Sequence, residues 1–252
     1  MKTLILIPAR YASSRFPGKP LAEIGGKPVI RHVVEKAVQV TDDVFVATDD
    51  RRIYDCVAGF GGKAVMTSTE HRSGTDRCNE ALAKITDQTG STFDVVVNIQ
   101  GDEPFILPSQ VFSLLSCFED SEVQIATLAR KFERNEEIFD PNRVKVVCSN
   151  SGRALYFSRS AIPYCRGIAE NQWIGTTPFY KHVGIYAYRP DVLKEITSLK
   201  QGELEKAESL EQLRWLENGY NIALRLTDHE SIGIDTPGDL EKARETLFPS
   251  CD

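Results

Sequence analysis

The chain has 252 residues, room for one large α/β domain or two small ones, with 41% hydrophobic and 26% charged residues. Its formal net charge of −6 excludes an overall electrostatic footprint for nucleic acid or an anionic membrane. No apolar run approaches the roughly 20 residues that a membrane span needs. The opening segment MKTLILIPAR runs straight into Pro8 and Arg10 without a small-residue cleavage site, so it reads as a first β-strand rather than a signal peptide. Cys56, Cys78, Cys117, Cys148, Cys165 and Cys251 show no C-x-x-C pairing, which points to free thiols in a reducing cytosol. No Gly-, Ser- or Pro-rich linker divides the chain, so one domain over residues 1–252 is expected.

In chain order, short apolar strands at residues 4–7, 44–48, 64–67, 95–100 and 124–128 alternate with helical patterns at 28–40, 51–59, 75–85 and 108–118. Such alternation implies an α/β fold with a mostly parallel sheet, its strands joined by crossover helices. The second half differs. Residues 144–148 and 154–158 flank a turn and predict an antiparallel pair. Next come a strand at 184–188, a helix from Asp191, and a helix over 203–218 that stops at Gly219. Leu204, Ala207, Leu210 and Leu213 mark that helix's buried stripe, leaving Glu211 and Gln212 toward solvent. Strands at 221–226 and 231–234 and a helix from Pro237 complete an added mixed portion.

Ligands of open α/β sheets bind beyond the carboxyl ends of the strands, so the loops there are the candidates for chemistry. The loop after the first strand, PARYASSRFPGKP, is the sharpest feature. Up to residue 22 the chain holds Lys2, Arg10, Arg15 and Lys19 and not one acid. Arg forks and a mobile Lys beside Ser13, Ser14 and Gly18 suit phosphate oxygens. Neither a Walker A loop nor a G-x-G-x-x-G is present.

Asp102 in NIQGDEPF and Asp235 in SIGIDTPGDL each follow an apolar strand. As hard carboxylates at the sheet rim they suit Mg²⁺, which takes one or two protein oxygens plus phosphate oxygens and water. Either could instead be a turn residue or helix cap. In HRSGTDR, Arg72, Ser73 and Thr75 stand near a nucleotide in one reading; in the other, Ser73 or Thr75 merely caps the helix that follows. In YKHVGIYAYR, alternation puts His182, Gly184, Tyr186 and Tyr188 on one strand face, a floor a sugar could approach or an ordinary half-exposed strand. Arg159 follows a strand as either a carboxylate clamp or a surface cation.

In order along residues 4–244, the segments IPARYASSRFPGKPL, VATDD, GTDR, VNIQGDEP, ALYFSRSAIPY, YKHVGIYAY, ESLEQLRWLENG and SIGIDTPGDLEKA closely resemble the 3-deoxy-manno-octulosonate cytidylyltransferases (CMP-Kdo synthetases). The resemblance implies a Rossmann-like nucleotide-diphospho-sugar transferase fold. Residues 1–130 would form mainly the nucleotide-binding half and 131–252 mainly the sugar-binding and dimerisation half. It further implies that Arg10, Ser13, Ser14, Arg15 and Lys19 hold CTP phosphates, and that Arg72, Ser73 and Thr75 border cytidine. Asp102 and Asp235 would bind Mg²⁺. Arg77, Gln100, Arg159, His182, Tyr186, Glu211 and Gln212 would line the Kdo pocket, against the solvent-facing pattern of the last two.

Arg15, Lys19, Asp102 and Asp235 would act in catalysis, with the metal rather than a His or Glu base activating the sugar hydroxyl. A cytoplasmic homodimer serving lipopolysaccharide synthesis is the expected setting. The rivals are transfer to 8-amino-Kdo or a sialic acid, a catalytically silent nucleotide-binding module, and a glycosyltransferase using the TDD at residues 48–50 as its metal motif. That last reading leaves the basic loop without a role.

Overall fold

The computed structural model describes residues 1–13, 15–230 and 233–247. They form two compact units, each interrupted in sequence. The first comprises residues 1–112, 189–197 and the described residues after 232; the second comprises 113–188 and 198–230.

The first unit is built on four parallel strands, β1 (Thr3–Ala9), β4 (Val44–Thr48), β5 (Lys63–Met66) and β6 (Val95–Asn98), in the order β6-β1-β4-β5. All seven residues of β1 are buried, as expected of a strand with neighbours on both edges. Helices α1 (Val29–Ala37), α2 (Arg51–Gly59) and α3 (Gly74–Thr89) connect these strands. On α1 the buried residues Val29, Ile30, Val33, Val34 and Ala37 trace one helical stripe. A small hairpin, β2 (Glu23–Ile24) with β3 (Lys27–Pro28), precedes α1 and was not legible as strand. Ile24 and Val29 pack with Ile234, Leu240 and Ala243, which brings the start of α9 (Pro237–Leu247) against the hairpin.

Helix α4 (Pro108–Leu115) leads into the second unit and tightens into a 3₁₀ turn over Ser116–Glu119. There β7 (Ile125–Lys131) pairs with β10 (Tyr180–Tyr188) antiparallel and with β11 (Ile222–Leu226) parallel. The expected antiparallel pair is β8 (Lys145–Cys148) with β9 (Ala154–Ser158), and β8 also joins β10. The short α5 (Asn135–Ile138) helps bury Trp173 and Phe179 in a satellite core. Helix α6 (Pro190–Ser198) follows β10.

The single helix expected over 203–218 is two, α7 (Glu203–Glu208) and α8 (Gln212–Glu217). Ser209 breaks it with a left-handed backbone (φ 51). The expected stripe fails at its N-terminal half. Leu204 is exposed at 39%, whereas Glu205 is buried and gripped by both arms of the Arg214 guanidinium at 2.7 Å. A buried ion pair has taken the place of an apolar contact.

Of the expected strand at 231–234, residues 231–232 lie outside the described residues, and Gly233 and Ile234 form no regular element. Cys56, Cys78, Cys117, Cys148 and Cys165 are free thiols; Cys251 lies outside the described residues.

Candidate active site

Within the first unit one open cleft of about 280 Å³ gathers the loop after β1, the turn after β6, the start of α3 and the entry to α9. Arg10, Ser13, Arg15, Lys19, Arg72, Ser73, Arg77, Gln100, Asp102 and Asp235 all line it. Ser14 lies outside the described residues.

The loop owes its shape to Tyr11, whose carbonyl accepts hydrogen bonds from the N–H groups of Ser13 and Gly18 at 2.9 Å. Gly18 takes φ 75, and a Cβ there would lie 3.0 Å from the Tyr11 ring, so glycine alone fits on both counts. Directly after it, Lys19 turns inward with its side chain only 15% exposed. Its Nζ donates to the Asp102 carboxylate and, at 3.3 Å, to Asp235. Arg15 reaches the same Asp235 oxygen at 3.0 Å.

Asp235 is free for this because Thr236 caps α9 instead. The Thr236 Oγ1 accepts from the Asp239 N–H at 3.2 Å, and the Asp239 carboxylate accepts from the Thr236 N–H at 2.9 Å. The Ile234 N–H donates to the Asp102 carbonyl at 2.8 Å and ties the two aspartate-bearing segments together.

Two carboxylates converging on one ammonium fit a small hard cation. Mg²⁺ needs no third protein ligand where phosphate oxygens and waters complete its shell. Asp102 and Asp235 are the two carboxylates in the cleft's lining.

The opposite wall is the start of α3. Ser73 caps it, accepting from the Asp76 N–H at 3.1 Å while Asp76 accepts from the Ser73 N–H at 3.3 Å. The capping reading of Ser73 is therefore correct, and the residue lines the cleft as well. Thr75 is buried in the first turn and is not part of the lining. A Cβ on Gly74 would sit 3.2 Å from Pro8 and 3.4 Å from the Gln100 amide, which is how closely α3 approaches the other walls. Gln100 is aimed by its donation to the buried Asn98 at 3.0 Å. Arg77 is buried and held by Asp49 at 2.8 Å, by the Thr67 hydroxyl at 2.5 Å and by the Ser68 carbonyl at 3.3 Å.

His71 is a lining residue given no role by sequence reasoning. Its Nε2 is hydrogen-bonded to Glu80, which also accepts from the Ser68 N–H at 2.8 Å and meets Lys84 at 2.6 Å. Burial alone would push the Glu80 carboxyl up, but Lys84, the Ser68 N–H and His71 outweigh it and hold the group at about 2. The only signal for His71 was its place beside Arg72; Asp49 and Glu80 act across sequence gaps that no local motif spans.

The other expected sugar residues belong to the second unit. Arg159 donates to the carbonyls of Glu208 (2.7 Å), Pro141 (3.0 Å) and Ser209 (3.3 Å), contacts that fix its fork without neutralising its charge. The strand face expected to carry His182, Tyr186 and Tyr188 exists despite a register shift between Val183 and Tyr186. Trp215 covers one end of it, standing edge-on to Tyr186 at 5.1 Å and to Tyr188 at 5.7 Å, whereas Gly184 is exposed and His182 half-buried. The His182 Nε2 bonds the Thr127 hydroxyl at 3.0 Å, and burial pushes the imidazole down to about 3, so it is neutral.

Burial, then the nearby Glu211 charge, raises the Tyr186 phenol well above its ordinary value. Gln212, placed toward solvent by pattern, is buried, and Glu211 is half-buried, 4.0 Å from Arg214. The break at Ser209 rotates both off the face that a continuous helix would give them. The Tyr186 hydroxyl and Trp215 Nε1 are buried with no hydrogen-bond partner among the described residues. Each such group costs about 1–3 kcal/mol, so the nest holds unspent capacity for a polar ligand.

The cytidylyltransferase family profile matches residues 4–226. The chain is 57% identical to the 3-deoxy-manno-octulosonate cytidylyltransferase of Parabacteroides distasonis over 96% of its own length and 97% of the relative's. It is equally 57% identical to the enzyme of that name from Bacteroides thetaiotaomicron, over 98% of each chain. Among solved structures, a CMP:2-keto-3-deoxy-manno-octonic acid synthetase in complex with CTP superposes with a TM-score of 0.90 at 45% identity, covering 100% of both chains. The fold is accordingly the Rossmann-like nucleotidyltransferase fold expected from the alternating strands and helices. By profile, sequence and fold together, this chain belongs to the 3-deoxy-manno-octulosonate cytidylyltransferase family of cytidylyltransferases.

Proposed function

We infer that the protein transfers CMP from CTP to the anomeric hydroxyl of Kdo, giving CMP-Kdo and pyrophosphate for lipopolysaccharide synthesis. The observation that carries this reading is the cleft of the first unit, where a cationic loop and two aspartates meet around Lys19, in a chain with full-length relatives of that activity.

The sugar hydroxyl oxygen forms a bond to the α-phosphorus as the bond to the bridging oxygen of the β-phosphate breaks. Pyrophosphate leaves, and the hydroxyl proton passes to solvent water. Two anions must meet, and unit charges about 4 Å apart repel by about 4 kcal/mol at an effective dielectric near 20. Arg15 and Lys19 offset that repulsion and stabilise charge growing on the leaving group. Arg10 and Ser13 add donors along the same wall. Asp102 and Asp235 would hold Mg²⁺, which would supply Lewis acidity and further charge neutralisation. The neutral, half-buried His182 does not serve as a base in this scheme.

Arg77 and Gln100 are proposed as sugar-binding residues of the first unit, and Arg159, His182, Tyr186, Glu211 and Gln212 as sugar-binding residues of the second. A cytoplasmic homodimer is proposed as the working form. No helix among the described residues is long and apolar enough to cross a membrane.

The deciding assay is pyrophosphate release from CTP with Mg²⁺, run with Kdo, 8-amino-Kdo and sialic acid, and repeated with UTP. Turnover with Kdo and CTP well above every other pairing is expected. Tight CTP binding with no sugar-dependent pyrophosphate would refute the reading.

A further inference from the structure

His71 lines the same cleft and Glu80 holds it, and the transfer chemistry above leaves this pair unused. Around them, the loop from Thr67 to His71 is sewn onto α3 from two sides. The Ser68 carbonyl accepts from Arg77 at 3.3 Å, and the Ser68 N–H donates to Glu80 at 2.8 Å. Glu80, one helical turn beyond Arg77, is gripped in addition by Lys84 at 2.6 Å. A carboxylate pinned by two donors is a rigid acceptor, and it takes the Nε2–H of His71. In a neutral imidazole only one nitrogen carries hydrogen, so this bond fixes the tautomer and leaves Nδ1 with a lone pair.

The surroundings give that lone pair a meaning. The cations that line the cleft with His71, namely Arg10, Arg15, Lys19, Arg72 and Arg77, present donors only. A nucleoside triphosphate is mostly acceptors: phosphate oxygens, ring oxygen, base carbonyl. Its donors are few, namely the amino group of cytosine and the ribose hydroxyls. A fixed acceptor among guanidinium groups therefore has few matches on such a ligand. His71 also stands at the α3 wall with Arg72 and Ser73, whereas Asp102 and Asp235 mark the wall of Arg15 and Lys19.

We propose that His71, held by Glu80, is a specificity-determining residue that accepts a hydrogen bond from a donor on the nucleoside, the cytosine amino group or a ribose hydroxyl, with Glu80 as its positioning residue. The inference rests on the nucleotide-transfer reading for its ligand class and extends it to how that nucleotide is selected.

The test is calorimetric binding of CTP, UTP, 2′-deoxy-CTP and 3′-deoxy-CTP at pH 8, without sugar, to the parent, His71→Ala, Glu80→Ala and the double variant. His71→Ala is expected to weaken CTP about tenfold, the loss of one hydrogen bond worth about 1.4 kcal/mol. It should weaken one analogue, the one lacking the donor that His71 reads, by less than about threefold. UTP in that role assigns the cytosine amino group; a deoxy analogue assigns the ribose. Glu80→Ala should reproduce the selective loss, and the double variant should be no worse than His71→Ala.

An unchanged CTP affinity, an equal loss across all four nucleotides, or additive losses in the double variant would overturn the proposal. Should the alanine variant melt early, His71→Gln is judged by the same ratios. A parent that binds CTP yet makes nothing from Kdo would refute the reaction alone and leave the selection test intact.

Discussion

At the scale of single residues, the cleft is a set of charges held in mutual check. Lys19 balances two carboxylates, so Asp102→Asn or Asp235→Asn disturbs both the cation and any metal between them. We predict a loss in kcat of about 10²-fold or more for either change, measured at saturating Mg²⁺. Near-normal turnover would remove that aspartate from the mechanism. Gly18→Ala forces a side chain into a left-handed backbone and against Tyr11, and should raise KM for CTP severalfold with a cooperative fold retained.

His182 gives a pH signature of the opposite kind. Its folded value of about 3 lies below the ordinary 6.5, so the unfolded chain takes up a proton that the folded one refuses. Its contribution to stability is therefore complete above pH 6.5 and lost as pH falls toward 3, by about 1 kcal/mol per unit. Urea unfolding of the parent and His182→Gln from pH 7.5 to 4.5 should show the parent's advantage shrinking through that range. Glu80 acts in a lower window: its contribution is complete above its ordinary 4.5 and fades toward its folded value of about 2.

At the scale of elements, the loop after β1 was legible as a wall of the cleft because a 22-residue stretch with four cations and no acid stands out in a chain with 36 acids. Asp102 and Asp235 were legible for a similar reason, each closing an apolar run. The strands themselves announced their places as runs of Val and Ile. What sequence could not give is anything made by distance. Asp49 holding Arg77 and Glu80 holding His71 join separate segments, and neither carboxylate belongs to a motif with its partner.

The break between α7 and α8 was hidden for another reason. Three-residue spacing of Leu204, Ala207, Leu210 and Leu213 runs straight through it, and Ser209 carries no mark of a left-handed residue. Because a side chain in that conformation costs about 1–2 kcal/mol, Ser209→Gly should raise Tm by a few degrees. A fall in Tm would mean that the serine makes a contact outweighing its strain. The Ser209 carbonyl also accepts from Arg159, so the same kink that places Gln212 in the interior helps aim a guanidinium expected to meet the sugar acid.

At the scale of the molecule, a chain of net charge −6 receives a triphosphate through a local concentration of cations. Such attraction is screened within about 10 Å at 0.1 M salt, so KM for CTP should climb as ionic strength rises from 0.05 to about 0.5 M. A flat response would assign capture to contact geometry alone. Sedimentation at micromolar concentration checks the proposed homodimer, with a single species at twice the chain mass expected.

The first unit is also discontinuous: its cleft needs the loop that bears Lys19 and an aspartate that follows it by 216 positions. A ribosome adding about 5–20 residues per second delivers Asp235 roughly 10–40 s after Lys19. On the role proposed for Asp235, a nascent chain stays catalytically mute until that residue has emerged, and trimming by a protease back to Thr227 would remove it together with Ile234, Leu240 and Ala243, the apolar residues on which Ile24 and Val29 rest.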